Sequence, residues 1–239
     1  MSNLTFFFYV CLMDHILDNP AWNALINGNN QFSNGNESAK YFNEEISPFI
    51  GLKEYSQENF DILYDMIPHD SPVGFVVPGE IQVPDTWKVL GKISAYQMIY
   101  NLPSILAKIE IEPIPLTKEH VPEMLALTKL TNPGPFAERT IEFGNYQGIF
   151  DNGKLAAMAG QRLNPLPYAE ISAVCTHPDH LSKGYARQLL QSQIQRIKAA
   201  SGIPFLHVRN DNERAIKVYE NSGFSTRKEM YFYFIKKIK

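Results

Sequence analysis

The sequence predicts an α/β (α+β) chain, a mixed central β-sheet flanked by helices, with a smaller α+β part in front of it. Three observations carry this. From about residue 105 onward, strand-like runs alternate with amphipathic helical stretches, the pattern of a sheet covered by helices. A junction punctuated by Pro103, Pro113 and Pro115, "NLPSILAKIEIEPIPLT", precedes that region. The first hundred residues mix helical and strand patterns, with no internal repeat of fixed short period.

A chain of 239 residues is long enough for two small domains, and the junction places them at 1–104 and 105–239. The net charge of −3 and pI near 6.1 give no global electrostatic reason to expect nucleic acid or an anionic membrane as partner. The two cysteines, Cys11 and Cys175, lie far apart, so neither a disulfide framework nor a paired-cysteine metal site follows, and a reducing cytoplasm is the expected setting. Leu4 to Met13 is apolar apart from Thr5, but a membrane span needs about 20 such residues. Basic residues before this run and a small-residue cleavage site, the marks of a signal peptide, are both missing. Two readings stay open there: a buried strand or ordered extension, and translation starting at Met13.

The elements follow in order. Ile26 to Glu37, rich in Asn and Gly, reads as a loop or broken helix end. Ser56 caps a helix to Met66, with Phe60, Leu63 and Met66 at helical spacing. Val73 to Pro78 and Val89 to Tyr100 read as strands. Ile109 to Ile114 reads as the first strand of the second half. Thr117 caps a helix through Leu130, with Pro122 in its first turn, where proline is tolerated. Two β-like runs around Asn152-Gly153 predict a hairpin. In Tyr168 to Thr176, alternation puts Ala169, Ile171, Ala173 and Cys175 on one face and Glu170, Ser172 and Val174 on the other. A helix follows with Ala186, Leu190, Ile194 and Ile197 on one stripe, ended by Gly202. A short strand "PFLHV", a helix over Asp211 to Ser222 stopped by Gly223, and a strand "EMYFYFIKK" complete the chain.

The turn in "AEISAVCTHPDHLSKGYARQLLQ" raises the functional question. It joins a strand to a helix through Gly184, yet it is neither a P-loop nor a Rossmann turn. The physics still favours phosphate. Unpaired N–H groups and the dipole at a helix start attract an anion, Gly184 lets the backbone approach it, and Lys183 and Arg187 add positive charge. An ordinary strand-to-helix connection is the competing reading of the turn alone. Cys175 and His177, two residues apart on a strand, make a poor nucleophile and base pair. His177, Asp179 and His180 match no metal-site spacing and read as polar turn residues, so no metal is expected.

Downstream, "NDNERAIKVYENSGF" contains N-x-x-A-x-x-x-Y-x-x-x-G-F. Together with "VCTHPDHLSKGYA" it resembles the GCN5-related N-acetyltransferase (GNAT) superfamily. "THPDH…KGYA" is most similar to the FR47-like branch, which includes relatives of glycine N-acyltransferases. The resemblance covers about 135 residues, from Ile105 to Lys239, and is strongest over Tyr168 to Phe224. By analogy with two-domain members of that branch, residues 1–104 resemble a degenerate GNAT-like half.

The resemblance implies acetyl-CoA as acyl donor, with its pyrophosphate on Leu181, Ser182, Lys183, Gly184, Tyr185, Ala186 and Arg187. Leu181 stands where the family has Arg or Gln, and Ser182 where it often has Gly. The resemblance also implies that the backbone N–H of Val174 polarises the thioester carbonyl. Cys175 and Thr176 would pair with the pantetheine arm, and Asn212 would cap its helix and reach that arm. It implies Glu170, fourteen residues before Gly184, as general base and Tyr219 as general acid. The expected function is acetyl transfer to the amine of a small molecule or amino acid. A non-catalytic acyl-CoA-binding or regulatory module and a protein N-acetyltransferase are the alternatives. Oligomeric state is not readable.

Overall fold

A computed structural model describes residues 15–102 and 109–238. The apolar run at Leu4 to Met13, Cys11 and the expected boundary between 104 and 105 lie outside the described residues.

The described chain opens with a 3₁₀ turn at Ile16–Asp18 and helix α1 (Pro20–Leu25), whose proline takes a first-turn position that needs no N–H. Strands β1 (Ser33–Gly35), β2 (Ala39–Phe42) and β3 (Ile50–Leu52) form a small antiparallel sheet. The stretch from Ile26 to Glu37 is thus not all loop. Asn36 Oδ1 accepts from the N–H groups of Ser38 and Ala39 at 2.9 and 3.0 Å, which turns the chain and lets β1 pair with β2. Helix α2 (Gln57–Met66) starts as expected, with Ser56 Oγ accepting from Asn59 N–H at 3.3 Å. Strands β4 (Val73–Val77) and β5 (Trp87–Tyr100) follow.

In the second half, β6 is only Ile114–Pro115. The longer strand expected from Ile109 does not form; Pro113, just before β6, has no N–H to give a ladder. A 3₁₀ turn at Lys118–His120 leads into α3 (Val121–Thr131); the Thr117 side chain and His120 form a capping box. Strands β7 (Gln147–Asp151) and β8 (Lys154–Gln161) make the expected hairpin across Asn152-Gly153. Strand β9 (Tyr168–Thr176), helix α4 (Tyr185–Ala199), strand β10 (Ile203–Arg209), helix α5 (Glu213–Asn221) and strand β11 (Phe224–Lys237) follow.

Among the described residues the large sheet has eight strands in the order β4-β11-β5-β10-β9-β8-β7-β6. Strands β9 and β10 run parallel, and the other neighbouring pairs run antiparallel. Strands from before and after residue 104 therefore share one sheet, with β5 seated between β11 and β10. One face is covered by α4 and α5, which bury Leu190, Ile194, Ile197 and Tyr219 against Met98, Ile171 and Leu206. The other face is covered by α1, α3 and the segment around Phe42 to Phe49, through Leu17, Phe49, Met124, Leu127, Phe205 and Phe232.

Helix α1 rides directly on β3. A Cβ on Gly51 would lie 2.4 Å from Trp22 Cα and 2.5 Å from its backbone N, so only glycine permits this approach. Gly51→Ala should push α1 off β3 and cost about 1–3 kcal/mol, the range for overpacking. Thermal unfolding should show Tm lower by several degrees; an unchanged Tm would mean that α1 is not held where the structure places it.

Candidate functional site

The site is built around a branch in the sheet. Parallel pairing of β9 with β10 runs through Ile203 opposite Tyr168, Pro204 opposite Ala169 and Phe205 opposite Glu170, and there it stops. Beyond that point β10 stays with β5, and β9 stays with β8. The backbone edge of β9 from Ile171 to Thr176 is left unpaired on the β10 side.

A bulge re-aims β9 inside this opening. Its register with β8 shifts between Met158 and Gly160, and Ala173 sits at φ 53°, an unusual value for a residue with a Cβ. The simple alternation expected for β9 is corrected accordingly. Ala169, Ile171 and Val174 face α4 and α5, whereas Ala173 and Cys175 belong to the opposite cluster. His177 N–H donates to Ala156 O at 2.8 Å, which fixes the phase of the backbone after the bulge. The N–H groups of Val174 and Thr176 then point away from β8, into the opening. Cys175 is buried, and burial pushes its thiol up to about 11, so it is no thiolate nucleophile.

Glu170, expected on a polar face, is 1% exposed. Arg162 Nε and Nη2 donate to its two oxygens at 2.9 and 2.6 Å, the Leu163 N–H donates at 3.3 Å, and His207 Nδ1 lies 2.8 Å from Oε1. Burial pushes the carboxyl up, but Arg162 and His207 outweigh it and bring it down to about 2. Both oxygens are committed, so Glu170 is a fixed ion at the branch point, and the geometry does not support its reading as a general base.

The ring of His207 is oriented from the far side. Arg227 Nη1 donates to Gln97 Oε1 at 2.8 Å, which leaves Gln97 Nε2 to donate to Leu17 O at 2.9 Å and to His207 Nε2 at 3.0 Å. His207 Nδ1 therefore carries the proton that Glu170 accepts. Asp18, also buried, closes the chain by accepting from Arg227 Nη2 at 2.6 Å.

Tyr219, on α5, packs into the same cluster as Val174. It is 9% exposed, packs edge-on to Phe224, and burial pushes its hydroxyl up to about 12, so it stays protonated at neutral pH. Among the described residues its hydroxyl has no hydrogen-bond partner. Asn212 Oδ1 accepts from Ala215 N–H at 3.1 Å, so it does cap α5.

The loop before α4 lies past the end of β9. Ser182 and Gly184 both have positive φ, 65° and 79°. No side chain caps α4, and the space where a Cβ on Gly184 would project is open to 4 Å. The first-turn N–H groups of a fifteen-residue helix thus face outward over an accessible backbone, which suits an anion. Leu181 is 43% exposed and does not enter the core. Lys183 is already paired with Asp151 at 2.9 Å. Tyr185 and Ala186 are half-buried and Arg187 is exposed. His177 approaches Asp179 (3.7 Å) and His180 approaches Asp151 (3.2 Å). Among the described residues no group of three or more His, Cys, Asp or Glu is placed to hold a metal ion, and no helix is long and apolar enough to cross a membrane.

The residues missed in the sequence are Arg162, His207, Gln97, Asp18 and Asp151. His207 did carry a signal, since a histidine inside "PFLHV" must find a polar partner once that strand is buried. The others become neighbours only through the sheet order.

A family model described as FR47-like protein matches residues 146–233. The solved structure of a GNAT-family protein from Novosphingobium aromaticivorans DSM 12444 is 30% identical, with a TM-score of 0.87 over 95% of this chain and 100% of that one. A GCN5-related N-acetyltransferase from Kribbella flavida shares the fold at 10% identity, with a TM-score of 0.57 over 91% of this chain and 96% of that one. A Drosophila protein does so at 13% identity, with a TM-score of 0.56 over 84% and 73%. No curated protein matches the sequence. The chain belongs to the GNAT acetyltransferase family and has the GNAT fold; the FR47-like likeness covers residues 146–233.

The Glu170 cluster makes stability depend on acid. Its folded carboxyl, at about 2, lies below the ordinary 4.5, so its contribution is fully present above pH 4.5 and is lost as pH falls toward 2. Glu170→Gln leaves Arg162 buried without its counter-ion and should cost about 3–5 kcal/mol at pH 7. The variant's stability should also fall less steeply below pH 4.5. Urea denaturation at a series of pH values measures both, and equal stability at pH 7 would dismiss the cluster as a structural element.

Proposed function

We propose that the protein is an acetyl-CoA-dependent N-acyltransferase that acetylates the amine of a small molecule or amino acid. The observation that carries this reading is the branch itself: β9 leaves β10 at Glu170, and an uncapped helix N-terminus stands at the end of the freed strand. The residues present fit CoA. The N–H groups at the start of α4, opened by Ser182 and Gly184, would take the pyrophosphate, with Arg187 at the rim. The freed edge of Val174 to Thr176 would pair with the pantetheine arm as an added strand would. Acetyl-CoA supplies an activated thioester when bound.

The chain's own groups then do the rest. The Val174 N–H, aimed into the opening, is the donor for developing charge on a carbonyl oxygen. Tyr219, holding its proton and free of any described partner, donates it to a departing sulfur. Glu170 stays outside the proton transfer, since its lone pairs are taken. Its work is to hold the branch open at a fixed geometry, so that transfer proceeds by positioning and polarisation of an amine that arrives neutral. The expected division near Ile105 does not separate the sheet: residues 105–239 carry the loop and the freed strand edge, and β4 and β5 from before it complete their sheet. A cytoplasmic setting belongs to the same reading.

Two substitutions test it. Gly184→Glu puts bulk and negative charge over the loop. Calorimetry should show CoA binding abolished while thermal unfolding is retained; unchanged affinity in a folded variant would remove the phosphate loop from the reading. Tyr219→Phe keeps the ring's packing and removes only the proton. It should lower kcat about 10²-fold with CoA affinity within a few-fold, read as free-thiol release across a panel of amines. CoA binding without thiol release on any amine would instead make the protein a binding or regulatory module.

A further inference from the structure

The phosphate loop is tied to the rest of the sheet through one carboxylate. Asp151 is the last residue of β7, and the turn after it is tight, with Asn152 at φ 51° and Gly153 at φ 74°. Two successive positive φ values are the signature of the hairpin turn that Asn-Gly favours, and this turn fixes where Asp151 points. Asn152 Nδ2 donates to Asp151 Oδ1 at 3.0 Å. On the other oxygen three groups from the loop and the start of α4 converge: Lys183 Nζ at 2.9 Å, His180 Nδ1 at 3.2 Å and the Tyr185 hydroxyl at 3.4 Å, with His180 Nδ1 also 3.0 Å from Lys183 Nζ. His180 stacks on the Tyr185 ring, and Lys183 Nζ lies 5.9 Å from that ring's centroid, so the three side chains pack against one another beside the carboxylate. The hydrogen bond from Lys183 holds the Asp151 carboxyl below the usual carboxylate range.

This arrangement places a negative charge beside a loop that otherwise suits an anion. Lys183 is flanked by Gly184 and Ser182, the two positions whose backbone opens toward a phosphate. With Asp151 as partner, Lys183 contributes little net attraction. We propose that Asp151 is an internal substitute for the ligand's phosphate, and that Lys183 exchanges Asp151 for the pyrophosphate of CoA on binding. Asp151 is then a residue that sets donor affinity without touching the donor. It keeps Lys183 ordered and partnered in the free protein and costs affinity in the bound one. The inference rests on the phosphate-loop reading above.

The test is a double-mutant cycle on Asp151 and Lys183, read by calorimetry with CoA. Asp151→Asn keeps the shape and an acceptor oxygen while removing the charge. It should tighten CoA about fivefold at low ionic strength, the worth of one charge-assisted contact. The gain should shrink with added salt. It should vanish in the Lys183→Met background, because no cation is then left to release. Weaker or unchanged binding in Asp151→Asn would overturn the proposal and make Asp151 a scaffold for the loop. A gain that persists without Lys183 would also overturn it, as general charge repulsion. Gly184→Glu in the same titrations separates the two layers of the argument. If wild type binds CoA and Gly184→Glu does not, the loop reading holds whatever Asp151 does. If Gly184→Glu binds like wild type, both fall.

Discussion

The fold turns on a carboxylate kept charged without water. Glu170 is the last residue of β9 that pairs with strands on both sides, through Arg162 and Leu163 in or beside β8 and Phe205 in β10. Its side chain carries the bond to β10 one step further, since His207 sits two residues beyond Phe205 and reaches back to it. The strands are thus stapled by an ion at the point where their backbones part. A buried ion pair of this kind is weak evidence of net stability, because desolvation offsets much of the attraction. What it does supply is geometry. Any shift in the register of β9 against β8 or β10 would strand a buried charge, so one branch point is much preferred over its neighbours.

The same cluster explains why the first part of the chain sits in the large sheet. Gln97 lies on β5, and it is the group that fixes the tautomer of His207. Asp18 and Leu17 precede α1, and they hold Arg227 and Gln97 respectively. Phe49, from the connection into β3, stacks on Arg162 at 4.7 Å. The N-terminal residues therefore complete a polar network that the C-terminal residues begin. Without them Glu170, His207 and Arg227 would face water or an unsatisfied interior.

Much of the second half was legible in the sequence because its signals are local. Asn-Gly gives the β7–β8 hairpin, Asn212 gives the start of α5, and Gly184 gives the strand-to-helix turn, each within a few residues. The family resemblance rested on the same two short segments. What stayed hidden depends on which strands become neighbours. Period-two alternation placed Glu170 opposite Cys175, and that was wrong because a bulge at Ala173 switches faces partway along β9. A bulge leaves little trace in a sequence when an alanine adopts the positive φ. The seat of β5 between β11 and β10 is a long-range choice that no window of residues encodes. Pro113 is visible in the sequence, and it closes off a strand before Ile114 by lacking an N–H.

The loop and the branch are held by different chemistry, and the difference fits their tasks. Beneath α4 lies a set of hydrogen bonds made mostly by uncharged side chains. Gln193 donates to Asn145 O and to Gln147 Oε1 and accepts from Gln161, while Ser192 also donates to Gln147. Most of these bonds are buried and nearly independent of salt and pH, so they fix α4 and the direction of its uncapped N-terminus. The tie between the loop and Asp151 is half-exposed and ionic, and such contacts are weak and exchangeable in water. A rigid helix thus carries a loop whose charged partner can be replaced. The branch, in contrast, is ionic but fully buried, and it has no partner to exchange with. Burial alone turns the same kind of ion pair from a replaceable latch at Asp151 into a fixed hinge pin at Glu170.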